Sequence, residues 1–175
     1  MIVLVGASAS GKTETAKLII KNYGFKKMVT TTTRPMRVGE VQDIDYHFIS
    51  KEEFLKQKEN GEFLETTEYN NNFYGTHRKD VDSKKVVIVE PEGANNLYKE
   101  LKDEITIFYL ESSEEKRIFH MTMRGDKEED IKKRIESDKT RFSIDKLDHI
   151  DYVIDSDKNS IQELAKSVYE LYKKR

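Results

Sequence analysis

Residues 6–13 read Gly6-Ala7-Ser8-Ala9-Ser10-Gly11-Lys12-Thr13, a complete G-x-x-x-x-G-K-[ST] octapeptide, and nothing else in the chain constrains its fold so strongly. The pattern needs a strand before it and a helix after it. Both are legible. Ile2–Val5 is a short β-branched run that reads as a buried strand. Thr13–Tyr23 places Ala16, Ile19, Ile20 and Tyr23 at helical spacing, and Gly24 supplies a left-handed stop. The chemistry follows from the residue types. Gly6 and Gly11 admit backbone conformations closed to other residues, so the N–H groups of residues 6–13, through Ala7, Ser8, Ala9 and Ser10, can wrap a phosphate. The helix start adds partial positive charge. Lys12 would neutralise β- and γ-phosphate oxygens, and the Thr13 hydroxyl would be a hard oxygen ligand for Mg²⁺.

The rest of the chain keeps a strand–helix rhythm with one interruption. Lys27–Thr31 reads as a second strand. From about 34 to 79 the sequence turns polar and aromatic, with a strand at Tyr46–Ile49, a helix opened by Ser50 and Glu53 and ended at Gly61, and a strand pair around Phe63–Tyr74. This predicts a small α+β lobe inserted in a larger fold. Val86–Val89 and Ile105–Leu110 are continuous apolar runs, as in parallel strands covered on both faces, with a helix at Glu92–Leu101 between them. Ser112 with Glu115 predicts a capped helix, and the highly charged Asp126–Lys146 reads as a mobile helical flap. Tyr152–Ile154 is a last strand, and Ser160 with Glu163 opens a terminal amphipathic helix. The expected architecture is an α/β three-layer sandwich of the P-loop type with a central parallel sheet, an inserted lobe and a helical lid. A single domain follows, with its core in 1–33, 80–111 and 147–175, the lobe in about 34–79 and the lid in about 112–146.

Composition removes several function classes. The 175 residues include no cysteine, which excludes a disulfide framework, a thiolate metal site and a cysteine nucleophile. A net charge of −2 argues against generic nucleic-acid binding. Apolar runs fall far short of the ~20 residues that cross a bilayer, and Met1 leads straight into a strand, leaving no room for a targeting peptide. The expectation is a cytoplasmic protein, monomer or homodimer, with no nucleic-acid or membrane partner. Seven of the eight arginines lie between Arg34 and Arg141, which suits a site that grips small phosphates.

The acceptor of the phosphate is narrowed by the inserted region. Thr30-Thr31-Thr32-Thr33-Arg34-Pro35-Met36-Arg37-Val38-Gly39-Glu40 sets two arginines three apart on a bent segment, an arrangement that would clamp a phosphate dianion. With the phosphate loop, T-T-R-x-x-R-x-G-E (Thr32 to Glu40), D-Y-H-F (Asp45 to Phe48), N-G-E-F-L-E (Asn60 to Glu65) and Y-G-T (Tyr74 to Thr76), the sequence resembles the guanylate kinases over nearly its whole length. The resemblance implies transfer of the ATP γ-phosphate to GMP, and to dGMP, with Mg²⁺. It assigns Arg34, Arg37, Tyr46 and Tyr74 to the GMP phosphate and Thr30, Glu65 and Thr76 to the guanine edge. Arg124 and Arg134 match lid arginines that close over the transferring phosphate, so Lys12, Arg34, Arg124 and Arg134 are the expected catalytic set. Guanine chemistry agrees, because a carboxylate can accept from adjacent N1–H and N2–H₂ while a hydroxyl donates to O6.

Departures from the family pattern are visible too. The strand end D-x-D-x-Q-G is met here by Ile88-Val89-Glu90-Pro91-Glu92-Gly93, which leaves Glu90 to face GMP or hydrated Mg²⁺. His120 stands where a lid arginine is usual, and Ser156 where an Asn near adenine is common. Solvent-facing roles are expected for Arg78 and Arg117, and His47, His77 and His149 have no metal-ligand spacing. Two alternatives stay open: a guanylate-kinase-like binding module with little turnover, and a P-loop kinase acting on a ribose bisphosphate.

Overall fold

The computed structural model describes every residue but Asn70, and every side chain but those of Tyr69 and Asn70. In chain order the elements are β1 (Ile2–Val5), α1 (Lys12–Tyr23), β2 (Lys26–Lys27), β3 (Thr31–Thr32), β4 (His47–Phe48), α2 (Lys51–Glu59), β5 (Phe63–Tyr69), β6 (Asn72–His77), β7 (Lys85–Ile88), α3 (Pro91–Leu101), β8 (Thr106–Glu111), α4 (Glu114–Met123), α5 (Glu128–Arg141), β9 (Tyr152–Asp155) and α6 (Ile161–Lys173). The large sheet is parallel throughout, in the order β2-β7-β1-β8-β9. From β1 the chain goes to one side and later returns to the other. The carboxyl end of β1 is therefore the switch point where ligands of such sheets bind, and residues 6–11 sit there.

Alternation along β1 explains its unbroken apolar run. Ile2 and Leu4 join Phe108 and Leu110 under α1 and α6, whereas Val3 and Val5 join Ile107 and Tyr109 under Ala94 and Leu97 of α3. Both faces are covered, so no polar residue is tolerated on either. The terminal helix α6 carries a full capping box, with Ser160 accepting from the Glu163 N–H and Glu163 reaching back to Ser160. It buries Leu164, Ala165 and Val168. Each large apolar side chain buried this way contributes roughly 1.5–3 kcal/mol. Among the described residues, no helix is long and apolar enough to cross a membrane.

The inserted lobe is a second sheet, β4-β3-β6-β5, backed by α2. Its own core is aromatic: Phe54 stacks on Phe63 at 4.5 Å and on Phe73 at 5.4 Å. It is not an independent body. Leu64 of β5 belongs to the cluster that holds Ala94 and Leu97 of α3 and Val3 and Val5 of β1.

Four expectations are corrected. Lys27–Thr31 is not one strand: Lys26–Lys27 pair with β7 in the large sheet, and Thr31–Thr32 pair with β4 and β6 in the lobe. The lobe's sheet thus begins at residue 31, before the anticipated 34, because Thr31 and Thr32, both fully buried, take β4 and β6 as their partners. The cap of α4 is Ser113, not Ser112; Ser113 Oγ accepts from the Lys116 N–H, while Ser112 donates to Asp157 at 2.8 Å. Within the charged stretch read as a helical flap, α5 packs Ile131 and Ile135 on Met121 of α4 and against Ala9. Arg117 does not face solvent; it is buried in an ion pair with Asp138.

Candidate active site

The phosphate loop takes its shape from close packing and positive φ angles. At Gly6 a Cβ would lie 2.5 Å from the carbonyl oxygen of Leu110, a distance no side chain survives. Gly11 holds φ +93° and serves as N-cap of α1 with no side chain to satisfy the first-turn N–H groups. Those donors are what an anion would find at the helix start. Ala9 also holds a left-handed φ of +62°, a position that suits glycine better, while it packs with Met121, Ile131 and Ile135.

Lys12 folds back over the loop. Its Nζ donates to the carbonyls of Gly6 at 2.6 Å and Ala7 at 2.7 Å, and burial lowers its pKa to about 8 while Asp138 pulls the other way. Thr13 is exposed in the first turn of α1. Both backbone groups of Ser8 are engaged from the lid helices. Its N–H donates to Asp138 Oδ2 at 2.8 Å, its carbonyl accepts from Arg117 Nε at 3.0 Å, and Arg117 and Asp138 pair at 2.9 Å. His120 Nδ1 lies 3.2 Å from the carbonyl of Ala9.

In front of the loop lies a cleft of about 340 Å³ between the large sheet and the lobe. Lys12 lines it together with Thr30, Arg34, Arg37, Tyr46, Glu65, Tyr74 and Glu90. The expected donor and acceptor groups therefore share one cavity. Arg34 is gripped by Glu40 through two parallel bonds, 3.0 Å from Nη1 and 2.7 Å from Nη2, and Glu40 also accepts the Arg37 N–H at 2.7 Å. That fork raises the Arg34 pKa and lowers that of Glu40. The guanidinium lies over Tyr46 and Phe48, its carbon 5.5 Å from each ring centre. Tyr46 and Tyr74 meet edge to face at 6.2 Å.

Glu65 and Thr76 are directly opposed on β5 and β6, and the Thr76 hydroxyl donates to Glu65 Oε1 at 2.7 Å. Thr76 is fully buried, and the cleft is lined by Glu65, which accepts its hydroxyl. Burial pushes the Glu65 carboxyl from 4.5 up to about 7; the Thr76 bond offsets this in part, and Glu92 adds to it. Glu90 sits at the N-cap position of α3, just past β7, without a side-chain capping bond; its pKa is raised by burial and held back by Arg141, 3.6 Å away.

The cleft does not include Arg124 and Arg134. Both are about half exposed and both pair with Asp126, Arg124 through Nε at 2.9 Å and through Nη2, Arg134 at 3.5 Å. Arg78 is exposed beside Glu100, as expected. Sequence reasoning quoted Glu40 but gave it no role; its spacing from Arg34 in a Pro- and Gly-bent segment was the available signal. It missed Asp138 and Phe142, which no pattern in a charged helix singles out. Ser156 is buried, and its hydroxyl has no hydrogen-bond partner among the described residues.

The chain is similar to known proteins over nearly its whole length. The family model described as guanylate kinase matches residues 1–174. A guanylate kinase of Bartonella quintana is 31% identical over 178 residues, covering 97% of this chain and 80% of the relative. One from Synechococcus sp. is 36% identical over 179 residues, covering 97% and 82%. The crystal structure of guanylate kinase from Anaplasma phagocytophilum superposes with a TM-score of 0.70 at 24% identity over 99% of this chain and 84% of that one, a likeness of fold. A parallel sheet with the phosphate loop at its switch point, a cleft in front of it, and relatives of this identity over nearly the whole chain lead to one conclusion: the chain belongs to the guanylate kinase family.

Proposed function

We propose that this chain transfers the γ-phosphate of ATP to GMP, and to dGMP, giving ADP and GDP, with the residue roles that follow. The observation that carries the reading is the single cleft shared by Lys12 and by the arginine, tyrosine and carboxylate groups of the lobe. The N–H groups of residues 6–13 other than that of Ser8, which is donated to Asp138, bind the ATP phosphates, and Lys12 leaves the Gly6 and Ala7 carbonyls to neutralise phosphate oxygens. Arg34, held as a fork by Glu40, grips the GMP phosphate with Arg37, Tyr46 and Tyr74. That phosphate is already an anionic nucleophile, so no general base is required and positioning dominates.

The base is read by Glu65, with Thr76 orienting it and Thr30 at the same edge of the cleft. Adenine lacks the adjacent donor pair and would leave the buried carboxylate poorly satisfied. The Arg124 and Arg134 side chains leave Asp126 to close over the transferring group, excluding water and stabilising its charge. The donor set fits a hydrated Mg²⁺ held mainly by nucleotide. Thr13 supplies a hydroxyl, Glu90 a carboxylate at the cleft wall, and no group of three or more His, Cys, Asp or Glu among the described residues forms a dedicated cage. When bound, the ion would neutralise phosphate charge in transfer. The reaction is assigned to the cytoplasm and to a monomer or homodimer, without nucleic-acid or membrane partners.

The test is ADP release with ATP and Mg²⁺, comparing GMP, dGMP, AMP, UMP and ribose bisphosphate. Turnover is expected with the two guanine nucleotides alone, and Lys12→Ala should lower kcat by about 10²–10³, the loss typical of one preorganised donor. Turnover of ribose bisphosphate, or GMP binding without any turnover, would overturn the assignment. The opposed Glu65–Thr76 pair speaks against the former, since a ribose phosphate offers no base edge.

A further inference from the structure

The phosphate loop is held by an unusual arrangement at Ser8. Its N–H is taken by a carboxylate from α5 and its carbonyl by a guanidinium from α4, and these two side chains are paired with each other. The Ser8 hydroxyl adds a longer bond to Asp138 Oδ1 at 3.3 Å. Both charged residues are buried, Arg117 to 8% and Asp138 to 6% exposure. Packing alone does not call for this, since apolar side chains of similar volume serve a helix–helix contact as well as a buried ion pair or better. What the charges add is a grip on both polar groups of one loop residue.

We propose that Arg117 and Asp138 are positioning residues for the phosphoryl donor: together they clamp the Ser8 residue, hold residues 6–11 in their anion-binding shape, and fix α4 and α5 to the loop. The proposal rests on the donor half of the function above, ATP bound by the phosphate loop. The clamp is charge-balanced, so it shapes the loop without adding net charge beside the triphosphate. It also ties two halves of the machinery together. Arg124 ends α4 and Arg134 lies on α5 one turn before Asp138, on the same side of the helix. The helices that carry these arginines are thus registered on the loop that holds the phosphate they act upon. None of the clamp's partners belongs to the lobe, so guanine and acceptor-phosphate binding are independent of it.

The decisive variant is the double replacement Arg117→Met with Asp138→Leu, which keeps volume and removes the grip; Asp138→Asn is the milder companion. Melting temperature, KM for ATP, KM for GMP and kcat are measured, with calorimetric affinities for ADP alone and GMP alone. The double variant is expected to fold, with KM for ATP and the ADP dissociation constant raised about tenfold or more and kcat lowered about tenfold, as for a small misplacement of reacting groups. GMP affinity should stay within about twofold. A folded double variant with ATP, ADP and kcat values within about twofold of the parent would overturn the proposal. So would ATP and GMP binding weakening together. If the double variant does not fold, Asp138→Asn decides by the same criteria. Should the parent bind ADP yet turn over no acceptor, the proposed function fails while the ADP affinities still test the clamp.

Discussion

Glu65 gives the sharpest quantitative test, because one group is asked to act on both stability and recognition. Burial raises its carboxyl from 4.5 to about 7 in the folded protein. A raised acid means that the fold favours the protonated form, so its penalty is absent below the unfolded pKa, grows as pH rises from 4.5 toward 7, and is constant above that. The difference corresponds to about 3 kcal/mol at pH 8 and to less than about 1 kcal/mol at pH 5. Glu65→Gln keeps the shape and an oxygen to accept from Thr76, and removes the charge. It should raise the melting temperature of the ligand-free protein at pH 8 by roughly 6–12 °C for a chain of this length, with the buried amide taking back some of the gain. At pH 5 the gain should nearly vanish. Recognition runs in the opposite sense. The parent needs the ionised carboxylate for guanine, so its GMP affinity should weaken about tenfold from pH 8 to pH 6 beyond the change due to the GMP phosphate itself. Scanning calorimetry and GMP titration at the two ends measure both. A stabilisation by Glu65→Gln that is equal at pH 5 and pH 8 would refute the reasoning, as would a parent whose GMP affinity follows phosphate ionisation alone.

Other outcomes follow from the same geometry. Arg34→Ala removes a guanidinium preset by Glu40 and should raise KM for GMP about 10- to 100-fold with KM for ATP little changed, the effect of one lost charge-assisted bond; steady-state kinetics with each substrate varied will show it. Glu40→Gln should raise the same KM by a smaller factor, since it only unfastens the fork. Gly6→Ala drives a Cβ to 2.5 Å from the Leu110 carbonyl and should destabilise by more than about 2 kcal/mol in denaturant unfolding while abolishing ATP binding. Arg124→Ala breaks only an exposed pair with Asp126, so its melting temperature should move by less than about 2 °C, whereas kcat should fall about 10²-fold or more with GMP affinity retained.

Much of this was legible in the chain itself, for physical reasons that differ by region. The continuous run Ile2–Val5 and the octapeptide behind it announce a buried strand, a wrapped anion site and a helix, because no other local structure satisfies those residues together. Thr30, Arg34, Arg37, Tyr46, Glu65, Tyr74 and Glu90 do line one cleft with Lys12. What stayed hidden depends on long-range geometry. Lys26–Lys27 and Thr31–Thr32 are three residues apart but belong to different sheets, which no local period reveals. Ser112 and Ser113 are chemically equal candidates for a cap, and the presence of Asp157 beside Ser112 decides between them. Arg117 and Asp138 are two charges in strongly charged helices; only the meeting of α4 and α5 over Ser8 distinguishes them from a solvated surface.

Leu64 and Glu65 are neighbours with opposite allegiances. One side chain is planted in the cluster beneath α3 and the central strand, and the next, across a register shift between Phe63 and Glu65, lines the cleft. The Glu65 carboxylate is therefore anchored in the same core as the strand that leads into the phosphate loop. Arg34 and Arg37, by contrast, ride on the bent segment between β3 and β4, fastened by Glu40. Under the proposed function the guanine is therefore gauged against a wall continuous with the core, and the phosphate against a segment whose fastening is a single carboxylate fork.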